Sequence, residues 1–236
     1  ATSKDKLIGI GPHESYEYLL ISKCYQMAAK GKFDIIHSHF DKKTAYFAPL
    51  VSTPTVSTLH SPLDKIKDIM REFRDTQHYV SISNSQRDVI PELNYTDTIY
   101  HGLDLSDYPF SDNSSNDLLF VGRIVPEKGP HVAIEISERL HKKLILLGWA
   151  SKLRLKYYLE MIRPYIDSKK IENHGYITRK SLKDYLGKAK ILLFPIAWEE
   201  PFGLVMTEAM ACGTPVVAYA RGSVPEVLVD GVTGFI

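Results

Sequence analysis

Phe194 to Gly213, FPIAWEEPFGLVMTEAMACG, carries an apolar strand ending into a short acidic loop and then into a helical pattern. Glu199 and Glu200 occupy the loop, Pro201, Phe202 and Gly203 turn the chain, and Glu208 lies on the helix that follows. A strand, a charged loop and a helix start are the parts with which an α/β sheet presents chemistry at the carboxyl ends of its strands. Seven residues separate Glu200 from Glu208, which in continuous helix is about 12 Å along the axis. That is too far for one proton-transfer pair. It suits two hydroxyl-rich parts of one long ligand, with phosphates between them facing the helix N-terminus at Gly203, Leu204 and Val205.

The same rhythm extends in both directions. Downstream of a polar stretch, SDNSSND, strands are expected at Asp117–Val121, Leu144–Leu147, His174–Ile177, Ile191–Phe194 and Pro215–Ala218. Between them lie a helix with Val132, Ala133, Ile136 and Leu140 on one face, a second helix divided by Pro164, and a third from Ser181 to Lys188 capped by Ser181. Upstream, Leu7–Ile10, Phe33–His37, Thr55–Leu59 and His78–Ile82 read as strands, and Tyr16 to Ala29 as a helix with Leu20, Cys24, Met27 and Ala28 on one face. Strands separated by helices imply parallel crossovers and doubly wound sheets. The polar stretch reads as a linker, dividing the chain into domains at residues 1–112 and 113–236.

Composition excludes more than it assigns. A chain of 236 residues with 44% hydrophobic content has enough apolar material for packed domains. A formal net charge of +1 supplies no field that points to nucleic acid or an anionic membrane. Two cysteines far apart, Cys24 and Cys212, fit no metal-ligand spacing, and a reducing cytoplasm is the expected compartment.

Gly122-Arg123-Ile124-Val125-Pro126-Glu127-Lys128-Gly129 links the first strand of the second domain to its first helix. Its glycines permit a tight turn, and two cations five residues apart can grip a diphosphate. It is neither a Walker loop nor a dinucleotide fingerprint, and a solvated loop with two exposed cations is the competing reading. Glu199, Glu200 and Glu208 also fit a solvated helix start, but Trp198, Pro201, Phe202 and Gly203 crowd them as a shaped pocket would. His60 closes the strand PTVSTLH at its carboxyl end, and His37 and His39 sit at an equivalent edge. No third ligand accompanies that pair at a recognisable spacing, and no Asp-x-Asp occurs, so no metal is expected. Ser83 to Gln86 read as a helix cap.

In combination, EPFGLVMTE (Glu200–Glu208) followed by AMACGTPVVA, the Gly122-Arg123 and Lys128-Gly129 pairs, RGSVPEVLVDGVTGFI, and the landmarks DIIHSH, TVSTLH, SISNSQR and YHGLDL resemble the retaining glycosyltransferases of the GT-B fold, family 4. The resemblance implies two Rossmann-like doubly wound parallel-sheet domains, the N-terminal one incomplete and the C-terminal one lacking its final helices. It implies transfer of a sugar from a nucleotide-diphosphate-sugar donor to a sugar, lipid or small-molecule acceptor, with no nucleic acid and with loose membrane association left open. By the same resemblance Arg123 and Lys128 hold the diphosphate, Glu208 the ribose hydroxyls and Glu200 the hydroxyls of the transferred sugar. Gly122, Phe202, Gly203 and Leu204 line the donor pocket, and His60 sits near the reacting centre. A non-catalytic sugar-nucleotide-binding module is the alternative.

Overall fold

The computed structural model describes residues 12–112 and 114–236; the expected strand at Leu7–Ile10 lies outside them. The chain divides into two compact units, Ala1–Tyr100 and His101–Ile236. This break falls ahead of the polar stretch, because the intervening segment is anchored in the second unit. Tyr108 is buried in that unit's core, and the Ser111 N–H donates to the carbonyl of Cys212.

In the first unit, β1 (Ile36–Ser38), β2 (Thr55–Thr58), β3 (His78–Ser81) and β4 (Tyr95–Thr98) form a parallel sheet in that order. Helix α1 (Pro12–Ala28) precedes β1, and its buried stripe is Ile21, Tyr25 and Ala28. Leu20 and Met27, expected inside, are exposed. The Tyr25 hydroxyl reaches Thr55 Oγ1 at 2.8 Å, which fixes the helix's rotation about its axis. Short helices α2 (Lys42–Ala45), α3 (Lys67–Glu72) and α4 (Asn84–Asp88) complete the unit. As expected, Ser83 caps α4, its hydroxyl accepting from the Gln86 N–H at 3.0 Å.

In the second unit, β5 (Leu118–Val121), β6 (Leu144–Leu147), β7 (Ile171–Asn173), β8 (Ile191–Phe194), β9 (Val216–Ala218) and β10 (Gly234–Phe235) form a parallel sheet in the order β10-β9-β8-β5-β6-β7. Both faces are covered, so the central strands are continuous apolar runs. Leu119 and Leu192 turn to one core, while Leu118, Phe120 and Leu193 turn to the other. The chain winds from β5 toward β7, then returns to β8 on the opposite side of β5 and winds outward. The crevice at the carboxyl ends of β5 and β8 is therefore the topological switch point, where such sheets bind ligands.

The helices of this unit are α5 (Pro130–Leu140), α6 (Leu155–Met161), α7 (Arg179–Lys188), α8 (Leu204–Ala211) and α9 (Val224–Val227). The stretch around Pro164 breaks from α6 into a separate 3-10 turn, as its ring requires. Helix α5 buries Ala133, Ile134 and Ser137 and exposes Leu140, a rotation of the expected face. Strand β7 lies wholly ahead of the expected His174–Ile177, which is not a strand: Asn173 Oδ1 accepts from the Gly175 N–H at 2.9 Å and Gly175 turns the chain at φ 66°. Helix α7 starts two residues before Ser181; Thr178 is its cap, accepting from the Ser181 N–H at 3.2 Å.

Candidate functional site

The loop after β5 and the loop after β8 are built against each other. Gly129, at φ 71°, lies so close to the second loop that a Cβ there would stand 2.0 Å from the Pro195 carbonyl oxygen. The Ala197 N–H donates to the Glu127 carbonyl at 2.9 Å. These contacts deliver Lys128 to Glu200: the ammonium and Glu200 Oε2 form a direct ion pair, with side-chain exposures of 15% and 11%. The Trp198 indole N–H donates to the same oxygen at 2.7 Å. The Lys128 Nζ lies 4.8 Å from the Trp198 ring, and the Arg123 guanidinium 5.8 Å from it. Three of the expected site residues, Arg123, Lys128 and Glu200, thus meet around Trp198 at the switch point. A carboxylate withdrawn this far from water needs such partners, and the Coulombic and hydrogen-bond terms offset its lost hydration.

Phe202 is buried, and Gly203 at φ 77° is the N-cap of α8, so Leu204 and Val205 open the helix and leave N–H groups without partners inside it. From behind, Gly222 packs on the Glu200 backbone, the Ser223 N–H donates to the Glu200 carbonyl at 3.0 Å, and the Ser223 hydroxyl donates to the Phe202 carbonyl at 2.8 Å. Glu199 has a different job: it pairs with Arg221 at 3.2 Å and accepts from the Gly222 N–H at 2.6 Å, tying the last segment to the acidic loop.

Glu208 is buried on α8 and is not joined to this group by any ion pair or hydrogen bond among the described residues. Its Oε1 accepts from the Tyr108 hydroxyl at 2.9 Å, and Arg179 Nη2 lies 3.7 Å away. Tyr108 is in turn covered by Lys183, whose Nζ is 4.7 Å from the ring centroid. Burial, with the neighbouring Glu208 carboxylate, raises the Tyr108 pKa, so the phenol remains a donor. Sequence reasoning missed Tyr108 because it lies beside the polar stretch; the signal was an aromatic in a run otherwise written as linker.

Gly122 joins this end of the sheet to its neighbour. Its N–H donates to the Leu147 carbonyl at 3.0 Å, and Gly148 packs on its carbonyl so tightly that a Cβ would stand 1.9 Å away. In front lies a cavity of about 210 Å3 bordered by Gly122, Arg123, Trp149, Tyr176, Ile177 and Leu182. Trp149, Tyr176 and Ile177 had not been singled out as site residues.

In the first unit, His60 follows β2. Its Nε2 meets His39 Nδ1 at 2.8 Å, and its N–H donates to Asp41 Oδ1 at 2.6 Å. The His37 Nε2 meets Thr58 Oγ1 at 2.8 Å, and its ring stacks toward His39 with centroids 4.6 Å apart. Burial lowers the His60 pKa; Asp41 opposes that shift, and His39 and His37 reinforce it. Among the described residues no group of three or more His, Cys, Asp or Glu side chains is arranged to hold a metal ion, and no helix is long and apolar enough to cross a membrane.

Comparison with known proteins adds an independent line. The family model described as Glycosyl transferases group 1 matches residues 107–236, and that described as Glycosyltransferase Family 4 matches residues 3–107. Glycogen synthase of Mycobacterium tuberculosis (strain CDC 1551 / Oshkosh) is 27% identical over 231 residues, covering 85% of this chain and 55% of that protein. D-inositol 3-phosphate glycosyltransferase of Xylanimonas cellulosilytica is 36% identical over 121 residues, 50% of this chain and 29% of that one. The crystal structure of Anabaena HepE in complex with UDP and glucose aligns with a TM-score of 0.77 at 22% identity, over 92% of this chain and 66% of that chain. The chain spans about half the length of the glycogen synthases it matches.

Proposed function

The chain belongs to the glycosyl transferases group 1, with the GT-B fold, and from that premise we propose that it transfers a sugar from a nucleotide-diphosphate donor to an acceptor hydroxyl with retention of configuration. The observation that carries this reading is the convergence of Lys128, Glu200, Trp198 and Arg123 at the switch point in front of the α8 N-terminus. A diphosphate there meets two cations and the N–H groups of Leu204 and Val205. Lys128 then turns from Glu200 to the phosphates, and the freed carboxylate oxygen accepts from hydroxyls of the sugar. Glu208, held by Tyr108, takes the ribose hydroxyls, and the cavity beside Tyr176 and Ile177 takes the base.

In the transfer, the bond between the anomeric carbon and the diphosphate oxygen breaks, and a bond to the acceptor oxygen forms on the same face. The acceptor proton passes to the departing phosphate oxygen. Arg123, Lys128 and the helix N-terminus stabilise the negative charge gathering on the leaving group. By the family resemblance His60 is assigned the role of a hydrogen-bonding contact for the transferred sugar. No metal is needed when two cations and a helix end neutralise the diphosphate, so turnover is expected to survive EDTA unchanged; abolition by EDTA and rescue by a divalent ion would remove this element of the reading. We place the reaction in the cytoplasm, where nucleotide sugars are available.

The test is nucleotide release from a panel of UDP-, GDP- and ADP-sugars, with the anomeric configuration of the product read by NMR. Turnover with one donor, lost in Glu200→Ala, is expected. No turnover with any donor, or equal turnover in that variant, overturns the proposal.

A further inference from the structure

Glu200 carries two donors on one oxygen. The Lys128 ammonium and the Trp198 indole N–H both end on Oε2, the indole at 2.7 Å. The Glu200 side chain is only 11% exposed, so little water is at hand to replace a partner that departs. We propose that Trp198 is a positioning residue for the transfer. Its N–H keeps hold of Oε2 when Lys128 moves to the diphosphate, and the place vacated on that oxygen then points in one fixed direction, at one hydroxyl of the donor sugar. The inference rests on the glycosyltransferase reading above and gives Trp198 a part in choosing the sugar.

Three features single out this side chain. The first is its chemistry. A lysine ammonium is a flexible point charge with three donors, and it follows the stronger anion. The indole is uncharged, with a single donor and no acceptor, so an arriving diphosphate pulls on it far less. The second is its anchorage. Trp198 packs against the buried core of the second unit. The chain just ahead of it is tied down twice, by the Ile196 N–H donating to the Phe194 carbonyl and the Ala197 N–H donating to the Glu127 carbonyl, each at 2.9 Å. The Lys128 Nζ and the Arg123 guanidinium lie 4.8 and 5.8 Å from the ring, so the cations assigned to the phosphates flank the ring as well. The third is what Glu200 would do without it. The terminal torsion of a glutamate is broad and roughly two-fold. Released by Lys128 and held by nothing else, the carboxylate could exchange its two oxygens and present either one. One fixed N–H removes that equivalence. An acceptor held in place pairs with a hydroxyl on one side of the sugar ring and leaves the epimer's hydroxyl without a partner, which counts heavily where water is scarce.

Trp198→Phe tests this, because it keeps an aromatic ring beside the cations and removes the donor. The protein has two tryptophans, Trp149 and Trp198, so the same variant assigns the Trp198 indole signal in a proton–nitrogen NMR spectrum. Whichever of UDP, GDP and ADP wild type binds is expected to bind the variant within about twofold by calorimetry. With the glucose, galactose and mannose forms of that nucleotide, kcat for the preferred sugar is expected to fall about tenfold or more at little changed KM. The preference among the three sugars is expected to narrow by about tenfold, which a merely structural role would not produce. The wild-type indole signal, displaced in Glu200→Ala, is expected to keep its bonded position when the nucleotide is added. Loss of that position on nucleotide binding, wild-type kcat and sugar preference in Trp198→Phe, or a fall in nucleotide affinity that matches the fall in kcat overturns the inference and leaves the donor reading standing. Absence of nucleotide binding or of turnover in wild type overturns both.

Discussion

Lys128 and Glu200 pair directly with each other, and under the proposed function each is required by a different part of the donor. Lys128→Ala is expected to lower turnover about 100-fold, as loss of one charge-stabilising donor does. It also leaves a nearly buried carboxylate without its cation, and a loss of about 3 kcal/mol in urea unfolding is expected. Unchanged stability would show that Trp198 alone satisfies Glu200. Tyr108→Phe removes the hydroxyl on Glu208 and should cost about 1–2 kcal/mol for the partner left behind, with weaker nucleotide binding by calorimetry. A nucleotide lacking both ribose hydroxyls should bind wild type and variant alike; a full effect with that ligand would place Tyr108 outside ribose recognition. That Glu200, Lys128 and Arg123 come together was legible only in part: their place in loops after strands pointed to the switch point, while a solvated loop or helix start fitted the same residues, and the contact around Trp198 decides that they meet. Tyr108 was not legible, since its role depends on a contact one hundred residues away.

The elements that aim these residues depend on close backbone contacts. Gly222 stands at φ 55°, and a Cβ on it would lie 2.3 Å from both the N and O of Glu200. Gly222→Ala is therefore expected to displace the acidic loop, lowering stability by more than about 2 kcal/mol and turnover with it; a fully active, stable variant would mean the loop has slack. Gly31→Ala is the control, because its Cβ meets nothing within 4 Å and only the positive φ is strained. Strands were readable because β5, β6 and β8 are apolar runs with β-branched or bulky residues bounded by glycine or proline. Helix faces were harder. In α1 both Leu20–Cys24–Met27 and Ile21–Tyr25–Ala28 obey helical spacing, and only the Tyr25–Thr55 hydrogen bond and the packing decide between them. The Thr178 cap was missed because Ser181, three residues on, is an equally good candidate by type.

At the scale of the whole chain, two parallel sheets follow from alternating strands and helices, and the order of the second follows only from three-dimensional packing. The reversal at β5 cannot be read from residue pattern, although the ligand-bearing loops could. Stability should also report the His60 environment. Its folded pKa lies below the ordinary value of about 6.5, so the unfolded chain binds the extra proton first. Stability is then fullest above about pH 6.5 and declines as pH falls through the folded pKa. His60→Asn should flatten this decline in urea midpoints compared between pH 7.5 and 5.5, and an unaltered slope would assign it to other groups. The net charge of +1 gives the molecule little reach toward anions at a distance. Under the proposed function, the Lys128–Glu200 pair carries that restraint into the site itself and makes ligand capture an exchange reaction. Bare phosphate would take Lys128 and strand Glu200, while a nucleotide sugar replaces both partners at once. Under the proposed function, departure of the nucleotide would let the pair re-form, so the site would discriminate against inorganic phosphate and help expel the nucleotide product.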